Sequence, residues 1–139
     1  MTLVIDASVA VKWVLDEAGT DAAFALQAQP LTAPALWLVE AGNAIWKRVG
    51  RGELSPEGAD IRLAALGRTP VLTTPVELDL AAALSLATAL RHPIYDCLYL
   101  AAAIREDAVA VTDDARFLRA VAGTEHEARV RRLGAAPSG

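Results

Sequence analysis

Short apolar runs alternate with longer amphipathic or alanine-rich stretches along the whole chain. Apolar runs of roughly four to eight residues rich in β-branched side chains predict strands, and the longer stretches predict helices. The predicted strands span 3–5, 31–33, 71–73, 108–112 and 128–133. The predicted helices span 8–17, 21–29, 35–49, 55–67, 75–90, 95–106 and 115–121.

The order of these elements predicts the fold class. Helices separate the strands, and no hairpin signal joins any two of them. This alternation is typical of an α/β protein whose central parallel sheet is covered by helices on both faces. The 139 residues fit one domain, predicted over 1–133, with a loose tail at 134–139. Ligands of such sheets bind beyond the carboxyl ends of the strands.

Composition excludes several classes of protein. Hydrophobic residues make up 54% of the chain, enough for a core without metal or disulfide cross-links. The single cysteine, Cys97, fits a reducing compartment, and we expect the cytosol. The first apolar run ends at Asp6 without a basic flank, which argues against a signal peptide. The apolar stretch at 80–90 is too short to span a membrane.

Carboxylates stand at the ends of two predicted strands. Asp6 follows the first strand directly, and Asp113 and Asp114 follow the strand at 108–112. Aspartate is also a common helix N-cap, so capping explains either position equally well. Of the adjacent pair, Asp113 is predicted as the cap and Asp114 as the residue one step inside the helix.

Two further acids lie on predicted helices. Glu40 has apolar neighbours and Asn43 one turn further on, while Asp96 opens the helix at 95–106. A solvated helix face would explain Glu40, and the helix dipole would explain Asp96. If all four acids met in one crevice, their repulsion would require a cation, and oxygen ligands favour Mg²⁺ or Mn²⁺. Such ions activate water for displacement at phosphate.

Four segments resemble the motifs of PIN-domain ribonucleases. The segment 4–9 resembles the opening of that family, and 40–43 resembles its Glu with an Asn three residues on. The segment 95–101 resembles the D-x-x-Y-x-x-A helix, and 111–118 resembles the T-x-D-x-x-F/L ending. The resemblance spans residues 3 to about 121. A compact chain of this kind is most similar to the VapC toxins of bacterial toxin–antitoxin pairs.

This resemblance implies a PIN-like three-layer α/β/α fold and a metal-dependent endoribonuclease that uses Mg²⁺ or Mn²⁺. The implied catalytic and metal-binding acids are Asp6, Glu40, Asp96 and Asp114. Supporting roles fall to Ser8, Asn43, Thr112 and Asp113. Ser8 and Thr112 would hydrogen bond around the metal, and Asn43 would orient Glu40 or contact substrate. Asp113 leaves open which of two adjacent carboxylates points inward. The resemblance also implies a homodimer that a small antitoxin silences in a heterotetramer or larger assembly.

Basic and aromatic residues are candidates for contacts with RNA. Phosphate contacts require Lys or Arg, and the candidates are Lys12, Lys47, Arg48, Arg51 and Arg116. Ordinary solvated charge at helix ends explains each of them at least as well. Trp13, Trp37 and Trp46 could stack on bases, although core positions are the more common alternative. The net charge of −4 disfavours nucleic acid in bulk, but the four implied ligands account for all of it.

Other classes of α/β protein fit less well. A haloacid-dehalogenase phosphatase needs a second Asp where this chain has Ser8. A receiver domain needs a lysine late in the chain, whereas the only lysines of this sequence are Lys12 and Lys47. A serine hydrolase needs a G-x-S-x-G elbow, and His92 and His126 have no nucleophile partner and are predicted at the surface. An inactive PIN-like interaction module and a non-toxin PIN nuclease of RNA processing remain alternatives.

Overall fold

The computed structural model describes residues 1–136, which contain one five-stranded sheet. Its strands are β1 Leu3–Ile5, β2 Leu31–Pro34, β3 Val71–Thr74, β4 Val109–Thr112 and β5 Val130–Arg132. The order is β3-β2-β1-β4-β5, and every neighbouring pair is parallel. The predicted α/β class and parallel sheet are therefore confirmed. Of the tail predicted at 134–139, residues 137–139 lie outside the described part of the chain.

Helices connect the strands throughout the described residues. The α-helices are α1 Ala7–Ala10, α2 Thr20–Ala25, α3 Leu36–Gly50, α4 Pro56–Gly67, α5 Leu80–Leu90, α6 Ile94–Arg105 and α7 Ala115–Val121. Single 3₁₀ turns span Val11–Trp13, Leu26–Ala28, Val76–Leu78 and Glu127–Arg129. The start of α4 follows the predicted signals, because the Ser55 side chain caps it and Pro56 occupies its first position.

Two predicted helices are shorter than the sequence pattern indicated. The helix expected over 8–17 is reduced to α1 and the 3₁₀ turn that follows it, since the backbone leaves helical geometry at Val14 with φ −129°. Lys12 Nζ and Trp13 Nε1 instead donate to the carbonyls of Ala18 and Ala23, which folds the following segment back over them. The helix expected over 75–90 begins with a 3₁₀ turn, and α5 itself starts after Asp79, whose buried carboxylate pairs with Arg105.

The direction of the chain across the sheet reverses between β1 and β4. From β1 the chain moves outward to β2 and β3, and it then crosses back to β4 and β5 on the other side. Right-handed crossovers place the helices of the two halves on opposite faces of the sheet. Helix α6 packs on β1, β2 and β4, while α3 packs on β2. Ligand sites of open α/β sheets lie at such a reversal, so the gap between β1 and β4 is where a site is expected.

The core explains two of the three tryptophans. Trp37 is buried and donates through Nε1 to Thr73 Oγ1 at 2.9 Å, and Trp13 is buried beside Ala23. Trp46, in contrast, has 65% of its surface exposed on α3. Within residues 1–136, no helix combines the length and the apolar character that a membrane crossing requires.

Candidate active site

A cleft opens at the carboxyl edge of the sheet between β1 and β4, where the order of strands along the chain changes side. Two adjoining cavities of about 190 and 320 Å³ share the side chains of Glu40, Asp96 and Asp114. The smaller cavity also reaches Asp6, and the larger one reaches Arg116. The four acids implied by the sequence resemblance come from the end of β1, from α3, from α6 and from the start of α7. The fold brings all four to one cleft.

Asp6 is the most buried of these acids, with only 4% of its surface exposed. It caps α1, and its Oδ1 accepts from Val9 N at 3.3 Å and from Ser8 Oγ at 2.6 Å. Its Oδ2 accepts a short hydrogen bond from Thr112 Oγ1. Three donors therefore hold the carboxylate of Asp6, and none of them carries a positive charge.

Ser8 and Thr112 form a bridge between the ends of β1 and β4. Ser8 Oγ accepts from Asp113 N at 2.8 Å, and Thr112 Oγ1 accepts from Asp114 N at 3.0 Å. Because each hydroxyl has one proton, and both protons are used on Asp6, the backbone of the β4 end must supply the other two donors. This network fixes the position of Asp114 relative to Asp6 through the backbone.

Glu40 is held by a residue to which the sequence assigned no role. Tyr99 Oη donates to Glu40 Oε1 at 2.6 Å, and Tyr99 is fully buried on α6. Tyr99 follows Asp96 by three residues, so helical periodicity places both on the same face, which is the signal that could have identified it. Asn43, expected to orient Glu40, is exposed, and it makes no hydrogen bond to Glu40 within the described residues. It lines a third cavity of about 400 Å³, together with Lys47.

Asp96 is paired with a histidine that the sequence placed at the surface. His92 Nε2 lies 2.6 Å from Asp96 Oδ2, and the His92 ring stacks on Phe117. The prediction of a surface position for His92 is therefore wrong. The ring lies in the wall of the larger cavity because the turn before α6 directs it toward the first turn of that helix.

The two adjacent carboxylates after β4 point in different directions. Asp114 lines both cavities and is the N-cap of α7, accepting from Arg116 N at 2.9 Å. Asp113 instead forms an ion pair with Lys12 at 3.0 Å. The expectation that Asp113 caps the helix is wrong, since the Thr112 hydroxyl receives Asp114 N and so places Asp114 at the cap.

The electrostatics of the cleft disfavour its charged state. Burial raises the pKa of Asp6 to about 7, against the opposing hydrogen bonds from Ser8 and Thr112. Burial, with repulsion from Asp96 and Asp114, also raises the pKa of Glu40. The pKa of Asp96 is raised by burial and by Asp114, against the opposing effect of His92. A cation among these carboxylates would reverse all three shifts.

The donor set fits a hard divalent cation, because it consists of carboxylate oxygens alone. Within residues 1–136, no three His, Cys, Asp and Glu side chains are close enough together to enclose a metal ion as they stand. Each acid is instead hydrogen bonded to another group of the protein: hydroxyls, a phenol, an imidazole or a backbone N–H. The chemistry of the residues fits Mg²⁺ or Mn²⁺.

The candidate RNA contacts fall into two groups. Lys47 and Arg51 are exposed, and Arg116 is 80% exposed at the mouth of the cleft. Lys12 is 5% exposed, and its ammonium bonds Glu17, Asp113 and the carbonyl of Ala18. Its charge is therefore not presented at the surface, contrary to the expectation. Arg48 is likewise engaged, by Glu17 and Glu53 at 3.2 Å each.

The fold and the cleft define an α/β protein with an acidic site between β1 and β4, where the order of strands along the chain changes side. The family model described as PIN domain matches residues 3–123, and the chain belongs to this family. The PIN-like fold expected from the sequence is thereby confirmed. No curated protein matches this chain by sequence.

Several solved structures are similar over almost the whole chain. The PAE2754 protein of Pyrobaculum aerophilum is 25% identical with a TM-score of 0.69, covering 96% of this chain and 84% of that one. VapC20 of Mycobacterium tuberculosis, a sarcin–ricin loop cleaving toxin, is 18% identical with a TM-score of 0.63, covering 89% and 97%. VapBC2 of Rickettsia felis, bound to a DNA fragment from its promoter, is 15% identical with a TM-score of 0.68, covering 95% and 98%. The last two similarities concern the fold alone.

Proposed function

We propose that this protein is a metal-dependent endoribonuclease that hydrolyses RNA phosphodiester bonds. The observation that carries the proposal is the convergence of four carboxylates on one cleft. Within residues 1–136, neither lysine nor arginine forms an ion pair with Asp6, Glu40 or Asp96. Burying unpaired carboxylates is costly, so a site that retains them is expected to bind a cation from outside.

The residues that would hold Mg²⁺ or Mn²⁺ are Asp6, Glu40, Asp96 and Asp114. A divalent cation bound there would lower the pKa of a water molecule and neutralise charge on phosphate oxygens. Ser8 and Thr112 keep Asp6 in place, and Tyr99 does the same for Glu40. Because carboxylates bind metal in the ionised form, protons compete with the metal, and metal affinity should rise as the pH rises through about 7, the pKa of Asp6 in the metal-free protein.

The surroundings of the cleft suit a single-stranded RNA segment. Glu40 and Tyr95 line both the 320 Å³ cavity of the cleft and the third cavity of about 400 Å³. The two cavities therefore form a continuous path past the acids. Arg116 lies at one end of this path and Lys47 at the other, where each could bind a phosphate. The Tyr95 ring between them is 58% exposed, as required for stacking on a base.

The proposal includes a role as the toxin of a toxin–antitoxin pair, acting in the cytosol on its RNA. It is supported by the similarity of fold to VapC20 and VapBC2 along nearly their full length. A small antitoxin would cover exposed apolar surface, and the chain offers a cavity of about 270 Å³ between α3 and α4, beside Trp46 and Leu63. A homodimer would cover further exposed leucines, among them Leu80 and Leu84, and two antitoxins would complete a heterotetramer.

Cleavage of RNA by the purified protein tests the nuclease. We expect cleavage of a mixed RNA pool in Mg²⁺ or Mn²⁺, none in EDTA, and none with Asp6→Asn. Asp79→Asn is the matched control, because Asp79 is equally buried but pairs with Arg105 outside the cleft. Equal cleavage by wild type and Asp6→Asn, or none by either across broad RNA pools, would contradict the proposal.

Expression in cells tests the toxin role separately. We expect growth arrest on induction of the wild type, rescue by a small open reading frame that neighbours the gene, and no arrest with Asp6→Asn. A protein that cuts RNA in vitro but is harmless in cells without that neighbour would be a nuclease of another kind.

A further inference from the structure

His92 lies in the short connection between α5 and α6, and its ring enters the wall of the cleft. Its Nε2 is 2.6 Å from Oδ2 of Asp96. The ring stacks on Phe117 with centroids 6.1 Å apart and an angle of 15° between the planes. Only 13% of the side chain is exposed. His92 is therefore a fixed part of the site and not a mobile surface group.

The backbone around His92 explains why the ring is held there. Arg91 ends α5 in the left-handed conformation with φ 52°, and Pro93 directly precedes α6 with φ −53°. His92 N donates to the carbonyl of Ala87 at 3.2 Å, which closes the turn. Phe117, on which the ring rests, is fully buried in α7. The turn therefore fixes the backbone of His92, and contact with Phe117 in the core fixes its ring.

We propose that His92 is a positioning residue for Asp96, holding one oxygen of this carboxylate so that the other is available to the metal ion. His92 Nε2 and Asp96 Oδ2 are within hydrogen-bonding distance. A carboxylate that binds a metal ion is ionised and only accepts hydrogen bonds, so in the metal-bound protein Nε2 would carry the proton and donate it to Oδ2. With Oδ2 held by the ring, Oδ1 is the oxygen free to bind a cation. The inference deepens the proposed function and rests on it for the identity of the ion.

Two other acids of the cleft are also held by side-chain donors, which supports this assignment. Two hydroxyls hold Asp6, and Tyr99 holds Glu40. His92 differs from these donors in one respect, because its ring also packs on α7, the helix that Asp114 caps. It therefore sets the position of Asp96 with respect to the helix that carries the fourth acid. Loss of such an outer hydrogen bond commonly costs about 10–100-fold in metal affinity or activity.

Three substitutions at His92 separate the hydrogen bond from the packing. His92→Phe keeps a ring against Phe117 and removes the donor. His92→Gln keeps a donor at about the same reach, and His92→Met has the length of Gln without a donor. The matched controls are the same changes at His126, which contacts Glu125 and not the cleft. Each protein is freed of metal, its melting temperature is measured in EDTA, and Mn²⁺ is titrated by calorimetry before RNA cleavage is assayed.

We expect His92→Phe and His92→Met to bind Mn²⁺ about 10–100-fold more weakly than the wild type, and His92→Gln to stay within about fivefold. The His126 variants should bind Mn²⁺ like the wild type. Unchanged affinity in His92→Phe, or equal losses in His92→Gln and His92→Met, would overturn the assignment. If His92→Phe melts early in EDTA, the Gln and Met pair decides, since both leave the same space unfilled.

The same experiment separates the inference from the proposed function. Wild-type protein that binds Mn²⁺ but cuts no RNA would contradict the nuclease, and the role of His92 would still be read from the Mn²⁺ affinities. Wild-type protein that does not bind Mn²⁺ would overturn both.

Discussion

Asp6 and Asp79 are both almost fully buried, with 4% and 1% of their surfaces exposed, but their surroundings differ. Asp79 lies at the start of α5 and receives two bonds from the guanidinium of Arg105, at 2.7 and 3.1 Å. Asp6 receives its bonds from Ser8, Thr112 and a backbone N–H, all of them neutral. Within residues 1–136, a cationic side chain pairs with Asp79, which joins two helices, and none pairs with Asp6 in the cleft.

The adjacent pair after β4 repeats this contrast at one position along the chain. Asp113 pairs with the buried ammonium of Lys12, while Asp114 faces Glu40 and Asp96 across the cavity. We call Asp79 and Asp113 the paired carboxylates. An unpaired buried charge costs stability, and its retention marks a position where function is served at the expense of stability.

The largest expected effect separates the two neighbouring aspartates. Asp114→Asn should lower the RNA cleavage rate by at least about 100-fold, since it removes a proposed metal ligand and not merely a partner of one. Asp113→Asn should lower it by less than about fivefold, because it removes only the ion pair with Lys12, and the Asp113 side chain of that pair is 36% exposed. Initial rates under saturating Mn²⁺ measure both. Similar losses in the two variants would remove the distinction between cleft and paired carboxylates.

The pH dependence of stability should distinguish Asp6 from Asp79. Because the folded pKa of Asp6 is about 7, above its ordinary value of 3.8, the folded protein retains this proton where the unfolded chain loses it. In EDTA the free energy of unfolding should therefore fall as the pH rises from about 4 through 7, by about 2–4 kcal/mol from this residue. Denaturant unfolding at a series of pH values measures the slope.

Asp6→Asn should flatten this slope and leave the metal-free protein more stable than the wild type at pH 8. Glu40 and Asp96, whose pKa values are also raised, keep part of the slope. Asp79→Asn should instead lose about 1–3 kcal/mol at every pH near neutrality, since it leaves the Arg105 guanidinium without its carboxylate. A loss of stability in both variants at pH 8 would show that the ionised carboxylate of Asp6 stabilises the folded protein, contrary to this prediction.

Adding Mg²⁺ or Mn²⁺ should offset the loss of stability that the buried carboxylates of the cleft cause. At about 10–100 times the dissociation constant, binding to the folded state alone contributes about 1.4–2.7 kcal/mol, or roughly 3–10 °C in the melting temperature. Millimolar Mg²⁺ or Mn²⁺ should produce this rise in the wild type and in Asp113→Asn, and a much smaller one in Asp114→Asn. Absence of a shift in the wild type would indicate that the cleft does not assemble around a cation.

The sequence predicts the cleft acids for a physical reason. Asp6 and Asp114 follow buried strands, and parallel strands end at a common edge, so their proximity depends only on β1 and β4 being neighbours. That adjacency comes from long-range pairing, which local patterns do not specify. The resemblance to PIN-domain motifs supplied what the patterns lacked.

The residues that the sequence missed depend on contacts across the fold. His92 has its partner one helical turn further on, but Pro93 between them indicates a break, and the turn that directs the ring inward is set by Arg91. Lys12 looked like a surface cation because Asp113, its distant partner, is brought to it only by the pairing of β1 with β4. The exchange of Asp113 for Asp114 as the cap is an error of one residue at a helix boundary, where sequence signals are weakest.

The smallest expected effect concerns basic side chains. It extends the contrast between paired and unpaired charges to RNA binding. Arg116 is exposed at the cleft and Lys47 beside the third cavity, whereas Arg48 is held by Glu17 and Glu53. In an Asp6→Asn background, which prevents cleavage, Lys47→Ala and Arg116→Ala should each weaken RNA binding about two- to fivefold. Each should also reduce the slope of log affinity against log salt by about 0.7, the loss of one phosphate contact. Arg48→Ala should leave the slope unchanged, because a guanidinium already bonded to two carboxylates releases no counterion when RNA binds. Fluorescence anisotropy over a salt series measures the affinity of all three variants. Equal slopes for Arg48→Ala and Arg116→Ala would mean that the RNA does not follow the path past the acids.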